Sequence, residues 1–212
     1  MKKLAEEATT ENVLNSIKEN KYNRTQDIKD FIMALEQIEG NMFISLDAKW
    51  GAGKTFYVRQ IEQTLNYLTK KFKGLDIEQD VEDVFSNSLL SKTKINYTYL
   101  PIYYDAWLYD NHVDPLMSLM LVITKKYKEY CNSKLNIGSF KVAELLDFTS
   151  ISIGGFQIGG NFRNMKEAIQ GKDLLSAVKM EEEIRDKVKE VFNSIIVENV
   201  QKLVIFIDEL DR

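Results

Sequence analysis

The chain has 212 residues, 44% of them hydrophobic and 28% charged, with a formal charge of −4. That balance fits an ordinary folded protein, excludes wholesale disorder and gives no overall pull toward nucleic acid. Cys131, the one cysteine, excludes an internal disulfide and a cysteine-based zinc site.

After Met1-Lys2-Lys3, the acidic pair Glu6-Glu7 interrupts any signal-peptide core. Residues 1–23 predict a polar helical extension with a thin apolar stripe of Val13, Leu14 and Ile17, and 24–212 the main domain. Thr25 predicts an N-cap. Ile28, Phe31, Ile32, Leu35 and Ile38 recur at helical spacing and predict a helix over 25–38, with Gly40 at its C-terminal end. Met42-Phe43-Ile44-Ser45-Leu46 reads as a buried strand, extending to 47. A helix over 54–71 carries Val58, Ile61, Leu65, Leu68 and Phe72 on one face.

The polar stretch 74–93 predicts helix plus loop, and is the one segment that resembles a flexible linker. Tyr97 to Tyr104 predicts a second strand despite Pro101. A helix follows over 115–131, with Leu119, Met120 and Ile123 on its apolar side. An insertion is expected over about 133–170. Its glycine-rich part, 150–162, predicts a small hairpin and not a phosphate loop, because no lysine follows at the right place. A charged helix over 175–199 then leads into an apolar strand over 202–207. The longest apolar run, 203–207, falls far short of the ~20 residues that span a bilayer. A cytoplasmic chain with no transmembrane segment is expected.

The segment Asp47-Ala48-Lys49-Trp50-Gly51-Ala52-Gly53-Lys54-Thr55 follows a predicted strand and opens a predicted helix. Glycines let the backbone curl until consecutive N–H groups face one concavity, and the helix N-terminus adds its positive end. Lys54 supplies a charge for β- and γ-phosphate oxygens, and the Thr55 hydroxyl can ligate magnesium. The expected nucleotide-binding set is Trp50, Gly51, Ala52, Gly53, Lys54, Thr55 and Phe56. Ala48 occupies the position where such loops usually open with glycine.

Leu203-Val204-Ile205-Phe206-Ile207 ends in Asp208-Glu209, the Walker B arrangement. Asp208 is expected to serve magnesium through a water, and Glu209 to polarise the attacking water as general base. Lys54 and Glu209 are thus the candidate catalytic pair. An acid directly after the magnesium aspartate favours a hydrolase over a phosphotransferase.

With both motifs in hand, the sequence resembles the KAP family of P-loop NTPases. The resemblance is carried by Trp50-Gly51-Ala52-Gly53-Lys54-Thr55, by Tyr104-Asp105-Ala106-Trp107-Leu108-Tyr109 before Asp114-Pro115-Leu116, and by Ile207-Asp208-Glu209-Leu210-Asp211-Arg212. It departs from the family pattern at Ala48, and at Asp105, where asparagine is common. The resemblance implies an α/β, three-layer P-loop fold of the additional-strand type, with ATP and Mg2+ as cofactors. It also implies a bacterial role that includes phage defence. In such folds a later strand separates the phosphate-loop strand from the Walker B strand, so a domain truncated after the Walker B strand is expected. The segment 42–46 is then short of a neighbour and an apolar sheet face is uncovered.

Other residues read more plainly. His112 is a loop residue, Tyr104 and Trp107 are core or interface aromatics, and Trp50 either packs beneath the loop, the favoured reading, or stacks near the nucleotide. The resemblance places Arg24 where the family approaches the base or ribose, but a solvated surface arginine is the favoured reading, and Lys70-Lys71-Phe72-Lys73 reads as a solvated helix end. Asp211 and Arg212 form either an ion pair or a contact to the site. The leading function is an ATP-hydrolysing motor or switch, the alternative a scaffold that binds ATP with negligible turnover. Expected partners are the nucleotide, a protein or C-terminal region beyond Arg212, and a second copy of the chain; nucleic acid is not indicated.

Overall fold

A computed structural model describes residues 6–109, 115–132 and 200–210. The expected 133–170 insertion with its glycine-rich hairpin, the expected 175–199 helix, and His112, Asp114, Asp211 and Arg212 lie outside the described residues. The chain divides into two compact units, one of Met1–Tyr103 with Gln201–Phe206, the other of Tyr104–Val200 with Ile207–Arg212. Helices and a small parallel sheet place the described residues in the α/β class.

In the first unit, α1 spans Thr10–Lys18 and is capped by the Thr9 hydroxyl, which accepts from the Asn12 N–H. Three non-glycine residues with left-handed backbone, Asn20, Tyr22 and Asn23, turn the chain into α2 (Thr25–Gln37). Thr25 does not cap that helix. It is the first helical residue, and its hydroxyl bonds the Asn20 side chain, while Arg24 holds the cap position. Helix α3 (Lys54–Phe72) and α4 (Gln79–Ser86) follow.

The core of this unit is built from Ile17, Ile28, Ile32, Ile61, Leu65, Phe85 and Tyr99 among others. The buried face of α3 runs through Phe56, Ile61, Leu65 and Leu68, whereas Phe72 is exposed. The polar stretch 74–93 is no linker: it buries Val84, Phe85 and Leu90, and Phe85 stacks on Tyr67 with ring centroids 4.3 Å apart. One pair of well-placed aromatics outweighs a polar average, because each ring buries a large apolar area.

Strands β1 (Tyr99–Asp105) and β2 (Lys202–Asp208) pair as a two-stranded sheet. The Thr98 carbonyl accepts from Gln201 and Lys202, and further along Ala106 donates to the Asp208 carbonyl at 3.0 Å, so both strands advance together and the pairing is parallel. Even-numbered residues of β1 therefore turn their backbone groups toward β2. Odd-numbered ones face away, as the Tyr99 N–H does in donating to the Thr69 hydroxyl at 3.0 Å. Pro101 falls on that second side, where its missing N–H breaks no rung of the ladder.

The expected strand at 42–47 does not form. These residues have no ladder partner among the described residues and are exposed, Phe43 completely so at 101%. Apolar β-formers alone do not make a strand, because every strand N–H and C=O needs a partner across a ladder.

In the second unit, α5 spans Pro115–Asn132, with proline at its first position where no N–H is required. Ile123 and Tyr127 are buried, the Tyr104 and Ser118 hydroxyls bond at 2.6 Å, and Tyr104 stacks on Tyr109 at 5.2 Å.

Candidate phosphate-binding site

The loop before α3 closes with the Ala52 N–H donating to the Lys49 carbonyl at 3.1 Å. Gly51 (φ 77°) and Gly53 (φ 81°) both adopt left-handed backbone, which any side chain would strain. Gly53 is the N-cap of α3 and brings no capping side chain, and the first turn of this 19-residue helix holds no acid. By contrast, α1 carries both a capping Thr9 and Glu11 in its first turn. The leading amides of α3 are therefore left uncapped by local side chains, and the positive end of the helix lacks a local anion.

The Lys54 ammonium folds back across the loop and donates to the Ala48 carbonyl at 2.9 Å. Thr55 is half-buried in the first turn of α3. The Phe56 ring is buried and meets Tyr22 edge-on at 6.4 Å, so its backbone amide is what it can offer a ligand. Trp50 is not packed beneath the loop but 84% exposed. Arg24 is not a solvated surface arginine: Nη1 donates to the Gly53 carbonyl at 2.9 Å and Nη2 to the Ala52 carbonyl at 2.7 Å. The resemblance drew attention to this position but not to these contacts, because the partners stand 29 and 28 residues away in sequence and meet it only through packing.

The acids belong to the second unit. The Glu209 N–H donates to Asp208 Oδ1 at 2.9 Å, and Glu209 itself has left-handed backbone at φ 58°. A non-glycine residue in that region stores conformational strain, which concentrates at functional positions. Within this unit the Asp208 carboxylate is a hard oxygen donor, the ligand type that magnesium takes alongside water and phosphate oxygen. Among the described residues, no group of three or more His, Cys, Asp or Glu forms a metal-holding cluster.

A family model described as the KAP family P-loop domain matches residues 12–212. The chain belongs to this family. No curated protein and no solved structure matches it. Membership gives the KAP chain a P-loop NTPase fold and makes it a nucleotide-binding protein by family. Within the KAP aromatic segment, Tyr104 is buried as expected of a core aromatic, while Trp107 is 58% exposed. Among the described residues, no helix of this KAP chain is long and apolar enough to cross a membrane.

Proposed function

We propose that the chain binds ATP with magnesium at the N-terminus of α3 and serves as an ATP-hydrolysing motor or switch. The observation that carries this reading is the uncapped α3 N-terminus, preceded by two left-handed glycines and followed at once by Lys54 and Thr55. Backbone N–H groups at such an end attract phosphate by direct donation and by the helix dipole. Lys54 exchanges the Ala48 carbonyl for phosphate oxygen, adding a full charge where the helix supplies only a partial one. Thr55 and Asp208 are the proposed magnesium ligands, Asp208 through a water. Magnesium, when bound, neutralises charge that develops on the phosphate oxygens. Glu209 orients a water and accepts its proton. Selection of ATP, and a role in bacterial phage defence, rest on family resemblance.

Calorimetry on the parent and Lys54→Ala tests the binding step. A charge-assisted hydrogen bond is worth roughly 1.5–3 kcal/mol, so affinity for ATP with magnesium should fall at least about tenfold while circular dichroism stays unchanged. Equal affinity in the two proteins removes Lys54 from the site.

A further inference from the structure

We infer that Arg24 is a positioning residue of the phosphate loop, an external brace that sets the direction of the loop's amides. This rests on the phosphate-binding reading above and adds to it a residue from outside both motifs. Its backbone is fixed by α2, whose first turn begins with the Ile28 N–H donating to the Arg24 carbonyl at 2.9 Å. Its guanidinium lies 5.5 Å from the Tyr22 ring centroid and 5.6 Å from that of Tyr57. Cation–π attraction to both rings limits where the fork can point. Tyr22 reaches this place through a left-handed backbone at φ 71°, a conformation unfavourable for an aromatic residue.

The fork grips the consecutive carbonyls of Ala52 and Gly53. In a trans peptide the C=O and the following N–H point in opposite directions. Holding the Ala52 and Gly53 carbonyls on the guanidinium therefore turns the Gly53 and Lys54 N–H groups to the opposite side, toward a bound phosphate. Helix α3 also holds the Gly53 carbonyl, which accepts from the Tyr57 N–H at 3.0 Å, so the brace's own contribution falls on the Ala52 carbonyl and the Gly53 N–H. The loop does not fix that peptide by itself. Glycines at 51 and 53 are conformationally permissive, residues 41–52 are exposed, and Gly53 has no side chain with which to cap. A Cβ on Gly53 would lie at an ordinary contact distance of 3.4 Å from both Nη atoms, so the left-handed backbone, not space beside the brace, is what calls for glycine there. Helix α2 thus pre-organises a loop whose glycines would otherwise permit other backbone conformations, and the entropy of ordering it is met in folding instead of in binding. Lysine cannot replace this: a point charge holds one carbonyl firmly and lacks the planar fork.

The test compares the parent, Arg24→Ala and Arg24→Lys in two measurements. The first is calorimetric affinity for ATP and for tripolyphosphate, each with magnesium. The second is the amide NMR signals of Gly53 and Lys54 in ligand-free protein, with melting temperature and circular dichroism recorded alongside. Arg24→Ala should weaken both ligands by the same factor, about tenfold or more. Arg24→Lys should fall between and keep the fold. In both variants the Gly53 and Lys54 signals should move without ligand. A loss confined to ATP would put Arg24 on the base or ribose and overturn the brace. Unmoved amide signals overturn it as well, as does a lowered melting temperature with affinity unchanged. If the parent binds neither ligand, the nucleotide reading fails. The ligand-free amide signals then decide Arg24 alone, for the brace if they move and against it if they do not.

Discussion

Tyr99 is 1% exposed, and its hydroxyl meets the Glu36 carboxylate, itself 6% exposed and already accepting from the Asn96 N–H at 2.7 Å and the Asn96 side-chain amide at 3.0 Å. Burial, and then the bond to Glu36, push the Tyr99 phenol well above the usual tyrosine range. A tyrosine titrates near pH 10 when unfolded, so the neutral phenol's contribution is complete below about pH 10 and is lost as pH rises beyond it. Tyr99→Phe removes that contribution, at a cost of about 1 kcal/mol near neutrality. Urea unfolding should show the gap between parent and variant narrowing above about pH 10. A gap of constant size would mean that Tyr99 ionisation is not linked to folding. At this scale the sequence is legible where chemistry is local. Lys54, Thr55, Asp208 and Glu209 stand out because neighbours along the chain define their roles. Glu36 does not, and Arg24 is marked only by family resemblance, since the contacts of each are with partners that only the fold delivers.

Among the elements, α2 ends in an arrangement that joins distant parts of the first unit. The Lys202 ammonium at the start of β2 donates to the carbonyls of Leu35 (2.7 Å), Glu36 (3.2 Å) and Ile38 (3.0 Å). It also sits 4.0 Å from the Tyr97 ring centroid. A cation on the last carbonyls satisfies orphan acceptors and complements the negative end of the helix. Lys202→Met keeps the stem against Tyr97 but removes the charge, and should destabilise by about 2 kcal/mol, seen as a lower urea midpoint with unchanged slope. An unshifted midpoint would mean that water caps α2 equally well. The helices expected over 25–38, 54–71 and 115–131 were legible to within a residue or two, because a 3.6-residue period survives in sequence. The segment 42–46 misled for the opposite reason. Its composition promises a strand, but a strand is a property of a pair. The stretch 74–93 did hold the expected helix, α4, but its likeness to a linker misled, because its few apolar residues matter only when Tyr67 stands opposite.

For the molecule as a whole, the question is whether bound nucleotide is turned over or merely held. Glu209→Gln preserves shape and leaves Asp208 intact while removing the proposed base. Binding should persist and hydrolysis fall by roughly 10²–10⁴-fold, measured by phosphate release under saturating ATP. Equal rates in the two proteins would place the base elsewhere. A parent that binds ATP without releasing phosphate supports the scaffold in place of the motor. Three separated motifs sufficed to recover the family, whose model matches residues 12–212. The first of them did so because a phosphate-binding loop restricts residue types at fixed spacing. The brace on the loop carries no such restriction that one sequence can display.

Trp50 stands immediately before the glycines of the loop with its indole 84% in solvent, and it is one of only two tryptophans in the chain. The loop thus carries its own fluorophore. Indole emission follows the polarity around the ring, so whatever settles on Gly51 to Thr55 alters the light from Trp50 without any attached dye. In a Trp107→Phe background that signal comes from a single residue, and loop occupancy can be followed in real time by optical titration.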